Sequence, residues 1–218
     1  MLSEPAASLT DLALGVITLT LMPAMRVPHV NRYWRRTVGW AAAAALAGSV
    51  HHGFVTYSDT WAGPSWAVIS GMVVIAISFS LAASVEDVLG PGRGRTFWAL
   101  RSASLGAYVT LAAFGHFGIG TILACEGVTM IAILALWAIA LRHGHPRAPA
   151  VIAALGASVF AGSTRALPAG VTEVAGLDPT SVYHLAQIPA MVLLCSALIR
   201  EPRPGWYRPT RALTQRPG

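Results

Sequence analysis

Long apolar stretches separated by short polar breaks organise this chain from end to end. Hydrophobic runs recur at roughly 8–25, 38–57, 66–85, 97–116, 119–141, 149–166 and 180–199. At 1.5 Å of rise per residue, each is about long enough to cross the ~30 Å hydrocarbon layer of a membrane. The breaks carry turn chemistry: Trp61 to Pro64, Gly90 to Gly94, Gly115 to Gly120, His145-Pro146 and Leu167-Pro168. The pattern predicts an all-α integral membrane protein, a single seven-helix bundle over residues 1–200. The Pro- and Arg-rich segment 201–218 lacks periodicity and reads as a flexible basic cytoplasmic tail.

Composition supports a membrane setting, since of 218 residues 55% are hydrophobic and only 11% charged, roughly half the charged share of a soluble domain. The start, MLSEPAASLTD, lacks a basic segment and a small-residue cleavage site, so the first apolar run reads as a retained anchor rather than a signal peptide. All 15 basic residues are arginine. Without a lysine amine, the chain cannot form a retinal or pyridoxal Schiff base or supply a Walker-type phosphate lysine. Cys125 and Cys195 lie inside apolar runs and read as buried, inert thiols.

Charge placement predicts topology. Fourteen of the fifteen arginines fall in alternate loops and the tail. By the positive-inside rule those loops are cytoplasmic, which puts the N-terminus outside and the C-terminus inside. Trp61 and Trp66 would then mark the outer interface, and Trp34, Trp40, Trp98, Trp137 and Trp206 the inner one. The net charge of +6 is accounted for as an orientation signal, so no nucleic-acid partner is expected. The expected location is a bacterial plasma membrane.

Polar residues inside spans are expensive and therefore informative. Asp11, Ser49, His51, His52, His116, Glu126, Arg165, Asp178, His184 and Gln187 all fall toward the predicted outer ends of their helices. This layer reads as one polar cavity with imidazoles from three helices. A catalytic zinc ion takes three protein ligands and an open position, and His52, His116 and His184 form the expected set. His51 lies about 100° round the helix from His52, so one of the two faces the cavity; His52 is preferred. Asp11 or Glu126 would orient or deprotonate the activated water, and Ser49 would support it or an oxyanion. Simpler roles stand beside these: Glu126 pairing with Arg165, Asp11 or Thr10 capping the first helix, Asp178 capping the last. His143 and His145 read as solvated loop residues.

Ser49-Val50-His51-His52 and Tyr183-His184-Leu185-Ala186-Gln187, with seven spans and an outside N-terminus, resemble the alkaline ceramidase and progestin/adiponectin receptor superfamily of membrane hydrolases. The resemblance implies a zinc ion, a metal-activated water and hydrolysis of a lipid-like amide or ester. The sequence departs from that pattern at Gly48, where the superfamily has serine, and at Ile188, where it has a second histidine, so His116 or Glu126 would replace one ligand. The alternatives are a b-type haem held by His52 with His184 or His116, and a metal-free isoprenoid cyclase using Glu126 or Asp11 as a buried acid.

Overall fold

Pro5 occupies the first turn of helix α1 (Pro5–Leu21), where its missing N–H costs nothing and its fixed φ favours the helix. Helix formation therefore begins well before the apolar run, and Asp11 lies in the body of α1 rather than at its cap. This structure, a computed structural model, describes residues 2–93, 97–166, 168, 171 and 177–200. The tail expected at 201–218 lies outside the described residues.

A 3₁₀ turn, Pro23–Arg26, follows α1. Helix α2 (Arg32–Val50) starts at Asn31, whose side chain accepts hydrogen bonds from the amides of Tyr33 and Trp34 at 2.9 and 3.2 Å. It runs directly into a π-helical turn, His51–Val55. Helix α3 (Ala62–Leu89) stops at Gly90, which takes φ +107°. Then come α4 (Trp98–Ala113), α5 (Ile119–Arg142), α6 (Ala148–Ser163) with a 3₁₀ turn at Thr164–Ala166, and α7 (Pro179–Ile199). Helix α1 packs between α2 and α7, α2 packs on α3, and α6 packs on α7.

Only four segments among the described residues are long and apolar enough to cross a membrane: Pro5–Arg26, Ala62–Leu89, Ala124–Arg142 and Pro179–Ile199. The expectation of seven spans is overturned for physical reasons. Helices α4 and α6 have 16 residues each, about 24 Å of rise, because the apolar runs continue past the helix ends into turns. Helix α2 carries Arg32, Arg35 and Arg36 in its first turns, which lowers its hydropathy. The assignment of an outside N-terminus and a cytoplasmic C-terminus rested on seven crossings and is withdrawn with them. What stands is a membrane-embedded, all-helical protein.

The main core gathers at the end of the bundle where α2 begins and α3, α5 and α7 finish, around Trp34, Val38, Leu81, Ile133, Trp137, Val151 and Leu198. Trp34 and Trp137 were expected at a membrane interface, yet both are fully buried there, with ring centroids 6.5 Å apart. Each indole N–H is satisfied inside, Trp34 donating to Asp87 at 2.8 Å and Trp137 to Ser84 at 2.9 Å. Arg101 and Arg147, expected as solvated orientation charges, are also buried. The Arg101 guanidinium lies 3.5 Å from the Trp98 ring centroid, and Arg147 faces Asp87 at 3.9 Å. His145, expected in solvent, packs edge-on against Trp137.

Candidate metal centre

At the opposite end of the bundle, α1, the π turn and α7 bring Asp11, His52 and His184 together. All three are buried, with 5, 8 and 4% of their surfaces exposed. One potential ligand atom from each lies within 4.8 Å of the other two. His184 Nε2 is 3.4 Å from Asp11 Oδ1, and His52 Nε2 is 4.0 Å from Asp11 Oδ2.

The outer faces of the two imidazoles decide their protonation. The Thr10 hydroxyl donates its single proton to the Ala6 carbonyl at 2.8 Å, so toward His184 Nδ1, 3.2 Å away, it is an acceptor. That contact is satisfied when His184 carries its proton on Nδ1. His52 Nδ1 lies 2.5 Å from the Glu4 carboxylate, which accepts and holds that proton on Nδ1 as well. Both Nε2 atoms face the Asp11 carboxyl, and His52 Nε2 is buried with no hydrogen-bond partner.

A divalent cation fits this arrangement. Ligand atoms about 2.0–2.1 Å from one tetrahedral zinc ion sit about 3.3–3.4 Å from each other. The His184–Asp11 separation already matches, and small side-chain rotations would close the rest. Outer-shell carboxylate or hydroxyl partners on metal-bound histidines fix ring orientation and ligand basicity, which is the relation Glu4 and Thr10 bear to His52 and His184.

Local structure explains how the site is reached. The π turn widens the ladder, Thr56 N–H bonding back to the His51 carbonyl at 3.0 Å. The carbonyls of His52 and Gly53 are then available to the N-terminal segment, accepting from Glu4 N at 3.0 Å and Ser3 N at 2.9 Å. Gly53 is needed for this approach, because a Cβ there would meet Ser8 Oγ at 2.9 Å. Gly48 serves the same purpose a turn earlier, its bare Cα facing the Asp11 carboxyl. Ser8 ties α1 to α2 by donating to the Ser49 carbonyl at 2.9 Å.

Other residues singled out in the sequence lie beside this centre or away from it. Ser49 is buried on the α1–α2 contact, its hydroxyl 3.5 Å from that of Ser8. His51 is buried, its Nδ1 3.2 Å from Ser65 Oγ and its ring against Trp66. Burial, reinforced by His52, pushes its imidazole below the usual range. His116 is exposed in the turn after α4. Glu126 is buried on α5 and takes a hydrogen bond from Ser104 of α4, so its partner is not Arg165. Gln187 donates to Ser158 of α6 at 3.2 Å. Asp178 caps α7, accepting from the Thr180 and Ser181 amides at 2.8 and 3.0 Å and from the Ser181 hydroxyl. Burial works against its charge, but these bonds outweigh it and hold the carboxyl below its ordinary range.

Glu4 was not anticipated. In Ser3-Glu4-Pro5 an acid before a proline reads as a helix start, and nothing local tells that it reaches 48 residues ahead to His52. We expect Glu4→Ala to weaken metal binding by about 10- to 100-fold, as loss of an outer-shell partner typically does, with Glu4→Gln closer to the parent because its amide oxygen still accepts from Nδ1. Competitive titration with a chromogenic chelator measures this, and equal affinity in all three proteins would rule the role out.

Helical, membrane-embedded and built around a buried two-histidine, one-carboxylate cluster, the chain matches a family model across residues 6–202. It belongs to that family, a family of unknown function (DUF6962). No curated protein and no solved structure matches it. The likeness to the alkaline ceramidase and progestin/adiponectin receptor superfamily is therefore withdrawn, since its seven-span frame is absent and no comparison returns it.

Proposed function

We propose that Asp11, His52 and His184 hold a divalent metal ion, zinc by the character of the donors, and that the protein is a membrane-embedded hydrolase of a lipid-like ester or amide. The carrying observation is the convergence of two buried imidazoles on one carboxyl, each with its Nδ1 engaged from behind and with His52 Nε2 left unpartnered. Three protein ligands with an open position are the donor count of catalytic rather than structural zinc sites. When bound, the ion would supply Lewis acidity, lowering the pKa of water and polarising a carbonyl. Glu4 and Thr10 hold the rings in the ligating tautomer, while burial of all three ligands keeps bulk water from competing.

An amphiphilic substrate agrees with the surroundings. Phe54, Tyr57 and Trp61, on the π turn and the loop after it, are 66–78% exposed, forming an aromatic fringe of the kind that sits at a membrane boundary. The haem alternative loses its space, because the Asp11 carboxyl occupies the gap between the two rings where a porphyrin would lie. The cyclase alternative is disfavoured because Asp11 faces nitrogen lone pairs rather than an apolar pocket. A second metal reading follows from the donor set itself, since two histidines and one carboxylate with open positions also suit non-haem iron(II).

Elemental analysis of the purified protein, paired with hydrolysis of a short-chain amphiphilic ester before and after chelation, tests the proposal. One zinc per chain and chelator-sensitive hydrolysis are expected. Stoichiometric iron would favour the oxidative reading, and absence of any divalent metal after zinc supplementation would overturn both.

A further inference from the structure

Arg165 stands in the 3₁₀ turn Thr164–Ala166 where the chain leaves α6, and this turn packs on α7. Its guanidinium carbon lies 5.4 Å from the centroid of the Tyr183 ring, and that ring in turn is 5.3 Å from the ring of His184. Among the described residues Arg165 forms no ion pair. Among the described acids, Glu126 is engaged by Ser104, Asp178 by the cap of α7 and Glu4 by His52.

Arg165 is half-buried in a turn outside the four long apolar helices, where its guanidinium fork can meet an anionic ligand. With Asp11 the sole anionic ligand, a divalent ion and its three ligands would carry one net positive charge, offset from behind His52 by Glu4, and Arg165 adds positive charge on the side of α7. Two positive groups that share one aromatic neighbour form a complementary pair for a group bearing several oxygens. Arginine's planar fork suits carboxylate and phosphate in particular.

We propose that Arg165 and the metal centre form a two-point oxyanion site, so that the ligand taken here is an amphiphile carrying a carboxylate or a phosphate ester. This rests on the metal reading above. Tyr183 is the neighbour the two points share, its ring in contact with both the guanidinium and His184. Arg165 is a binding residue for the anionic group and does not help to hold the ion.

The test uses the full chain in detergent, loaded with cobalt(II), whose visible absorption reports its coordination. Inorganic phosphate and hexanoate are titrated separately at constant ionic strength, and cobalt content is measured in each protein. Wild type should take one cobalt and shift its spectrum with at least one anion. A response to phosphate alone supports a phosphate ester, and to hexanoate alone a carboxylate. Arg165→Gln should keep its cobalt and melting temperature but require at least about tenfold more anion, and Arg165→Lys, which keeps charge without the fork, should fall between them. An unchanged anion response in Arg165→Gln overturns the proposal while leaving the metal centre intact, and loss of cobalt from that variant overturns it because Arg165 would then help to hold the ion. If Arg165→Gln does not fold, the same decision rests on Arg165→Lys. Failure of wild type to bind cobalt overturns the metal reading and this proposal with it.

Discussion

Alanine in place of His184 is expected to leave the purified protein without its divalent ion while leaving the helices in place. In the proposed centre the imidazole contributes one of three ligand atoms, and its Nε2 sits 3.4 Å from Asp11 Oδ1, closer than His52 Nε2 comes to that carboxyl. Zinc bound through four protein ligands gains about 10–16 kcal/mol in folding-coupled sites. A single ligand's share is then about 2.5–4 kcal/mol, so affinity should fall by roughly 60- to 700-fold. The fold should tolerate the change, because Thr10 keeps its own hydrogen bond to the Ala6 carbonyl when the ring is gone. His116→Ala is the matched control, since His116 is exposed and outside the cluster. Metal retained at parental affinity in His184→Ala, or lost equally in His116→Ala, would sink the assignment of these ligands.

Gly48→Ala provides the second large effect, and its sign separates the site from ordinary helix behaviour. Glycine inside a helix is less favourable than alanine by about 0.5–1 kcal/mol, so propensity alone predicts a more stable protein. Here a Cβ would be driven into the Asp11 carboxyl, with Cγ only 3.0 Å away and Oδ2 closer still. The carboxyl cannot yield freely, because α1 and α2 are already tied at Ser8 and Ser49. Overpacking of this kind costs about 1–3 kcal/mol, enough to reverse the propensity gain. The displaced carboxyl would also leave the line of the two Nε2 atoms. We expect a lower melting temperature in detergent and weaker metal binding in the same variant. A stabilised Gly48→Ala protein with intact metal affinity would mean that the α1–α2 contact is looser than the Ser8–Ser49 tie implies.

The residues of the centre were visible in the sequence for one reason: ionisable groups in apolar runs are rare and costly, so Asp11, His52 and His184 stood out individually. Their grouping was harder to see. Depth along a helix placed His116 and Glu126 in the same layer, but depth says nothing about direction around the bundle, and neither the turn after α4 that holds His116 nor the α5 position of Glu126 lines the cluster. Glu4 escaped notice because its sequence neighbours give it a sufficient local role. The widened turn at His51 to Val55 left no periodic trace, yet it frees the carbonyls that the N-terminal segment uses.

Apolar runs by themselves determined that the chain is helical and membrane-embedded, because hydrophobic stretches of this length must satisfy their backbone internally and bury their surface. They did not determine how many helices cross. A run of apolar residues counts its turns as well as its helix, so 97–116 included the turn after Ala113, and 149–166 the 3₁₀ turn after Ser163. Nor did arginine placement separate surface charge from structure, since Arg101 and Arg147 are held inside by an aromatic ring and a carboxylate. Which histidines meet, which nitrogen of each carries the proton, and which acid faces them were decided only by tertiary packing. Those properties depend on contacts between residues 48 and 174 positions apart, beyond the reach of any local pattern.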